Sequence, residues 1–305
     1  MRLPEWVIPL YLRTTGMPRV FRSAEQARAL VDSLALRPSS YGPPQQLKFP
    51  VTIDVSRRDG WPVYHVRPTA APSRGAVVYA HGGGWVYEIT AAHWQLVAQI
   101  AAEAQTTVVV PIYPGVPFGT ADAVVSAVVD LVLETRERHG EVRLAGDSAG
   151  GQIALSAAMA LRDQHSVTLP RTVLISPALD LSWSNPRIPQ VQPTDPWLAM
   201  PGGRVFSELW RGELPTDDPR VSPLAGELAG LGPLTVFSGT HDVLNPDAHL
   251  LLDRAKAAGV DVEFHEGERQ VHVYPLLPIR KGEAARAIIT ERLTIGNTLE
   301  RAGRR

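Results

Sequence analysis

The stretch "LAGDSAGGQIALSAAMALR", residues 144–162, decides how the rest of the chain is read. With the preceding "EVR" its left end is a short apolar run of strand type, and its right end is a run of helix formers. Between them, Gly146-Asp147-Ser148-Ala149-Gly150 fits the pattern G-x-S-x-G. Glycines there let strand and helix approach closely around a strained turn, which lifts the serine hydroxyl above the C-terminal edge of a sheet. The partially positive helix N-terminus faces the same point. The bland alternative is a glycine-rich turn with an idle serine, and the strand before and helix after favour the reactive reading.

Working outward, "VTIDVS" (51–56) and "WPVYHV" (61–66) flank "RRDG" (57–60), whose Asp-Gly turn predicts an antiparallel hairpin. The run "GAVVYAH" (75–81) is short and almost wholly apolar, as a strand covered on both faces should be, and "TTVVVPI" (106–112), "EVRLAG" (141–146), "TVLIS" (172–176), "LTVFSG" (234–239) and "VDVEFH" (260–265) follow the same habit. Helices are expected over 91–104, 120–138, 150–163, 202–212 and 247–259. This alternation predicts an α/β fold with a mostly parallel sheet between helical layers. Residues 181–223, rich in Pro, Ser and Trp, break the alternation and read as a cap over the strand ends. The opening "MRLPEWVIPLYLR" (1–13) is broken by Pro4 and Pro9 and reads as a piece packed on the body or over a cleft. The expected organisation is a cap segment over 1–45, core over 46–180, a second cap segment over 181–223 and core over 224–305.

Composition narrows the chemistry. Thirty basic against 31 acidic residues give a net charge of −1, which offers no field for nucleic acid or an anionic membrane. No cysteine is present, so disulfides, thiolate metal sites and a cysteine nucleophile are excluded. No apolar run reaches the roughly 18 residues of a membrane span. The expectation is a cytoplasmic protein with a small-molecule ligand and no stable membrane insertion.

If Ser148 reacts, it needs partners. "YAHGGGWVY" (79–87) follows a buried strand, and three consecutive glycines leave bare backbone N–H groups able to hold an oxyanion together with that of Ala149. A phosphate loop is the rival, but neither a Gly-Lys-Ser/Thr nor a G-x-G-x-x-G pattern is present there. Asp242 lies just beyond a strand, where a carboxylate reaches an imidazole; Asp247, its competitor, reads as a first-turn helix residue complementing the dipole. Among later histidines, His249 sits in a helix pattern and His265 ends a strand. His272, in the loop beyond, is the favoured base, with His265 as fallback. The order Ser148, Asp242, His272 differs from those of the chymotrypsin and subtilisin types. Trp85, Trp183, Trp197, Phe206 and Trp210 are candidates for an apolar pocket, with ordinary packing as the alternative. There is no HExxH motif, and no metal or organic cofactor is expected.

These residues carry a resemblance. His81-Gly82-Gly83-Gly84-Trp85, Gly146-Asp147-Ser148-Ala149-Gly150-Gly151, Asp242-Val243-Leu244 and His272-Val273-Tyr274 together resemble the bacterial hormone-sensitive-lipase-like carboxylesterases of the α/β-hydrolase fold. "DPRVSPL" (218–224) is similar to the segment by which that family leaves its cap. The resemblance implies Ser148 as nucleophile, His272 as base, Asp242 as its orienter and backbone donors at Gly83, Gly84 and Ala149. It implies that His81 orients the glycine loop. With these apolar pocket candidates and a net charge that gives no sign of a charged acyl group, the expected substrate is an ester of short to medium acyl length. An amide, lactone or acetyl substrate would use the same machinery, and a retired, non-catalytic receptor is the reading of another class. Two departures stand out: "PIYPGVPFGTADA" (111–123) is shorter than the family's Tyr-Arg-Leu-Ala-Pro-Glu loop, so its anchoring must differ, and Val243 replaces the usual Glu or Pro. The edge strand 260–265, or its adjoining helix, is a candidate homodimer surface.

Overall fold

In the computed structural model, residues 3–14, 17–37 and 39–296 are described. Among these residues, eight strands form one sheet: β1 (Val51–Arg58), β2 (Trp61–Pro68), β3 (Ala76–Ala80), β4 (Thr107–Pro111), β5 (Val142–Asp147), β6 (Thr172–Ile175), β7 (Leu234–His241) and β8 (Val262–Val271). Their spatial order is β1-β2-β4-β3-β5-β6-β7-β8. The β1–β2 and β2–β4 pairs are antiparallel and every later pair is parallel. The hairpin turns at Asp59 and Gly60, both with positive φ, as a two-residue Asp-Gly loop requires.

Among the described residues, ten helices accompany the sheet: α1 (Val7–Thr14), α2 (Met17–Arg22), α3 (Ala24–Leu36), α4 (Ala91–Glu103), α5 (Ala121–His139), α6 (Ala149–His165), α7 (Ile188–Val191), α8 (Met200–Arg211), α9 (Asn245–Ala257) and α10 (Arg280–Leu293). The period-2 alternation of strands explains the two layers. In β3, Val77 and Tyr79 face the cluster with Trp94 and Ile100 of α4 and Ile289 of α10. Ala76, Val78 and Ala80 face the cluster with Val128 of α5, Ile153 of α6 and Leu251 of α9. The amphipathic helix α8 packs with α2 and α3 above the sheet, and the ring of Phe21 meets Phe206 edge-on at 5.5 Å. No helix among the described residues is long and apolar enough to cross a membrane.

One expectation needs adjusting. Strand β8 does not stop at residue 265 but runs to Val271, pairing with β7 as far as His241↔Val271 across an irregularity between Gly239 and His241. Apolarity hides that extension, because "EGERQ" lies on an edge strand that needs cover on one side only. The shortened loop 111–123 is held by the glycine stretch: the Val116 N–H donates to the Trp85 carbonyl (2.7 Å) and the Tyr113 hydroxyl to the His81 carbonyl (2.6 Å).

Candidate active site

Three strand ends meet at the site. Ser148 follows β5 directly and adopts φ 53°, ψ −119°, left-handed backbone that a side chain rarely occupies. That strain is sustained from both sides: the Ser148 N–H donates to the Ile175 carbonyl (2.8 Å), and the Ser148 carbonyl accepts from Ala178 (3.1 Å) and Gly151 (3.0 Å). The close approach explains the glycines. A Cβ on Gly150 would collide with the Ala80 and His81 carbonyls, and one on Gly146 with the Gly150 carbonyl.

His272 follows β8, and its Nε2 lies 2.8 Å from Ser148 Oγ. Its Nδ1–H donates to Asp242 Oδ2 at 2.8 Å. Asp242, fully buried beyond β7, accepts the Leu244 N–H on its other oxygen (3.0 Å). The loop bearing His272 is pinned by Ser176, whose Oγ accepts the Val273 N–H at 3.1 Å. Burial works against an imidazolium here. The charge of Asp242 and its hydrogen bond, supported by Asp195 and Asp147 further off, more than offset it, so His272 is raised above its ordinary value. The arrangement can therefore take a proton from the serine hydroxyl and stabilise the imidazolium that results.

Gly83, Gly84 and Ala149 line one cavity of about 430 Å³ with Ser148 and His272. Gly83 has φ 133° and Gly84 φ 59°, and the Gly83 carbonyl accepts from Val86 (3.1 Å) and Tyr87 (2.8 Å), which fixes the loop's course. His81 packs flat on Tyr113 at 4.5 Å and its Nδ1–H donates to the Gly82 carbonyl (2.6 Å). Burial lowers His81 to about 4, so its ring is neutral.

Of the expected pocket residues, Trp85, Trp183, Trp197 and Phe206 line the cavity. Trp210 does not. It is fully buried behind Trp85, the two rings 5.8 Å apart, and the Trp210 and Trp85 indole N–H groups both donate to Gln152 Oε1 (2.9 and 3.1 Å). A tryptophan on an amphipathic helix gives no sign of which partner takes its N–H, and here a buried glutamine on α6 does. The alternative bases are elsewhere: His249 pairs with Glu266 (2.7 Å), and His265 stacks on Phe237 (4.7 Å) beside Glu263 (3.0 Å). Asp247 does lie in the first turn of α9, but it is buried and accepts from Asn185 Nδ2 (2.7 Å), a tether for the 181–223 segment.

Several contributors escaped the sequence reading. Asp147 accepts from the Tyr79 hydroxyl (2.6 Å), the Gly82 N–H (2.9 Å) and His93 Nε2 (3.1 Å). Burial would raise this carboxyl, but His93, Tyr79 and Gly82 outweigh it and hold it below its usual range. Tyr11 and Leu12 of α1, Phe21, Tyr87 and Leu198 also wall the cavity. Among the described residues, no group of three or more acidic or histidine side chains is placed to hold a metal ion.

Residues 77–276 match the family described as alpha/beta hydrolase fold. The chain belongs to that family. A triacylglycerol lipase of Mycobacterium tuberculosis is 35% identical over 229 residues, 74% of this chain and 48% of the lipase, so the hydrolase spans about half of that relative. An acetyl-hydrolase of Streptomyces hygroscopicus is 32% identical over 73% of this chain and 75% of its own. A solved esterase from the bacterial hormone-sensitive lipase family superposes with a TM-score of 0.80 at 26% identity, over 97% of this chain and 100% of its own. With these relatives, the hydrolase is a carboxylic ester hydrolase of the hormone-sensitive-lipase-like type.

Proposed function

We propose that the hydrolase cleaves small esters of short to medium acyl length through an acyl-enzyme on Ser148. The observation that carries this reading is the 2.8 Å approach of His272 Nε2 to the Ser148 hydroxyl, with Asp242 at 2.8 Å on the far side of the ring. His272 removes the serine proton as Oγ attacks the ester carbonyl, and Asp242 fixes the tautomer. The backbone N–H groups of Gly83, Gly84 and Ala149 hold the oxyanion, each worth roughly 2.7–4 kcal/mol. The protonated His272 gives its proton to the leaving alcohol. Water then attacks the acyl carbon, with His272 again as base, and frees the acid.

The cavity supports this acyl length, with about 430 Å³ walled by Trp85, Trp197, Phe206 and Leu198 and few polar groups besides the reacting ones. Residues 1–45 and 181–223 form its cap. We place the enzyme in the cytoplasm on its cysteine-free composition, and β8, an edge strand, as a homodimer surface; fractionation and sedimentation test the two. A panel of chromogenic esters of increasing chain length, run beside amides and lactones, tests the substrate class. Maximal turnover on short to medium esters is the expected result. A preference for amides or lactones would reassign the bond, and no labelling of Ser148 by a fluorophosphonate would end the acyl-enzyme reading.

A further inference from the structure

One buried carboxylate near the site takes no part in the reaction so far described. Asp195 lies in the loop between α7 and α8 and is 1% exposed. Its Oδ1 accepts the N–H groups of Trp197 and Leu198, both at 2.8 Å, and its Oδ2 accepts the Val243 N–H at 2.8 Å. Val243 is the neighbour of Asp242. The side chain therefore joins the segment above the cavity to the turn that carries the triad carboxylate. Trp197, which Asp195 fixes, meets the His272 ring edge-on at 5.6 Å and packs against all three apolar clusters of the molecule.

A second carboxylate buried beside Asp242 is costly without compensation. We propose that Asp195 is a positioning residue for the esterase reaction: it holds Trp197 and the Asp242 turn in register and adds a second negative charge behind His272. This rests on His272 acting as the base. The groups facing His272 are the Ser148 hydroxyl and Asp147 from β5, Asp242 from the turn after β7, and Asp195 and the Trp197 edge from the upper loop. Those facing Asp195 are the Asp242 carboxylate and the three N–H groups. Burial, then Asp242, push Asp195 up to about 7, while the three donors favour its anion. In its ionised form Asp195 favours the imidazolium; removing the charge lowers the His272 pKa and lets the neutral base persist to lower pH.

The test is the pH profile of kcat/KM for wild type, Asp195→Asn and Asp195→Glu, with melting temperatures alongside. Asp195→Ser, whose hydroxyl suits the same turn, is the second neutral variant should the amide not fold. The expected result for a neutral variant is a tenfold or larger loss of kcat, KM within threefold, and an acid limb displaced downward by half a pH unit or more. Asp195→Glu keeps the charge, so its limb stays near that of wild type while kcat falls. A neutral variant that loses stability and activity with its limb unmoved would make Asp195 a structural anchor only and overturn the proposal, as would unchanged kcat. Residual turnover in Ser148→Ala would instead overturn the acyl-enzyme reading, so the two failures are distinguishable.

Discussion

Two buried histidine–aspartate couples flank the same serine and have different work. In one, His272 Nδ1 meets Asp242 and Nε2 is left for the Ser148 hydroxyl. In the other, His93 Nε2 meets Asp147, and Nδ1 accepts from the Thr90 N–H at 3.0 Å with the Thr90 hydroxyl at 2.8 Å. Both ring nitrogens of His93 are thus committed, and no nitrogen remains to exchange a proton with a substrate. The couple instead ties the start of α4 to Asp147, and through the Gly82 N–H to the glycine loop. Pairing with a carboxylate does not make a histidine a base; what the second nitrogen faces decides it.

The comparison can be broken or sharpened by substitution. Replacing Ser148 with Ala should lower kcat by roughly a millionfold, as removal of a triad nucleophile does elsewhere, with the melting temperature almost unchanged. Asp242→Asn should cost about 10⁴-fold in kcat by favouring the wrong tautomer. Asp147→Asn, in the other couple, should cost at most about a hundredfold, because it loosens the oxyanion loop and removes only the weakest of the charges that support the His272 imidazolium. A double-mutant cycle with His93→Ala should then show non-additive losses in melting temperature; additive losses would mean that the two residues act separately. Gln152→Leu leaves the Trp85 and Trp210 indole N–H groups unpaired and should cost about 1–3 kcal/mol of stability for each, measured by denaturant unfolding. The smallest effect is on pH. His272 is raised, so the acid limb of kcat/KM should fall above the ordinary imidazole value of about 6.5 and activity should be lost as pH drops through it.

The sheet and its reacting residues were legible because each lies at a strand end marked by its own neighbours. Ser148 sits between glycines, Asp242 follows "TVFSG" within three residues, and His272 precedes a short turn and a helix. The supporting residues carry no local mark. Asp195 reaches Val243 across 48 positions and His93 reaches Asp147 across 54, so their roles exist only once the chain has folded. Trp210 was misread for the same reason: its position on α8 is amphipathic either way, and the glutamine that receives its N–H lies 58 residues earlier. The six residues added to β8 were missed because an edge strand with one open face need not look apolar.

Residues 3–12 are fastened to residues 271–279. The Leu3 N–H donates to the Pro278 carbonyl at 2.8 Å, Ile8 and Leu12 pack with Val271 and Ile279, and Tyr11 and Leu12 wall the cavity together with Leu276 and Leu277. During synthesis, then, helix α1 emerges long before the residues it rests on, and its wall of the binding chamber waits for residues 271–279 to follow. Closing so long a loop adds little further cost in free energy, because that cost grows only with the logarithm of loop length.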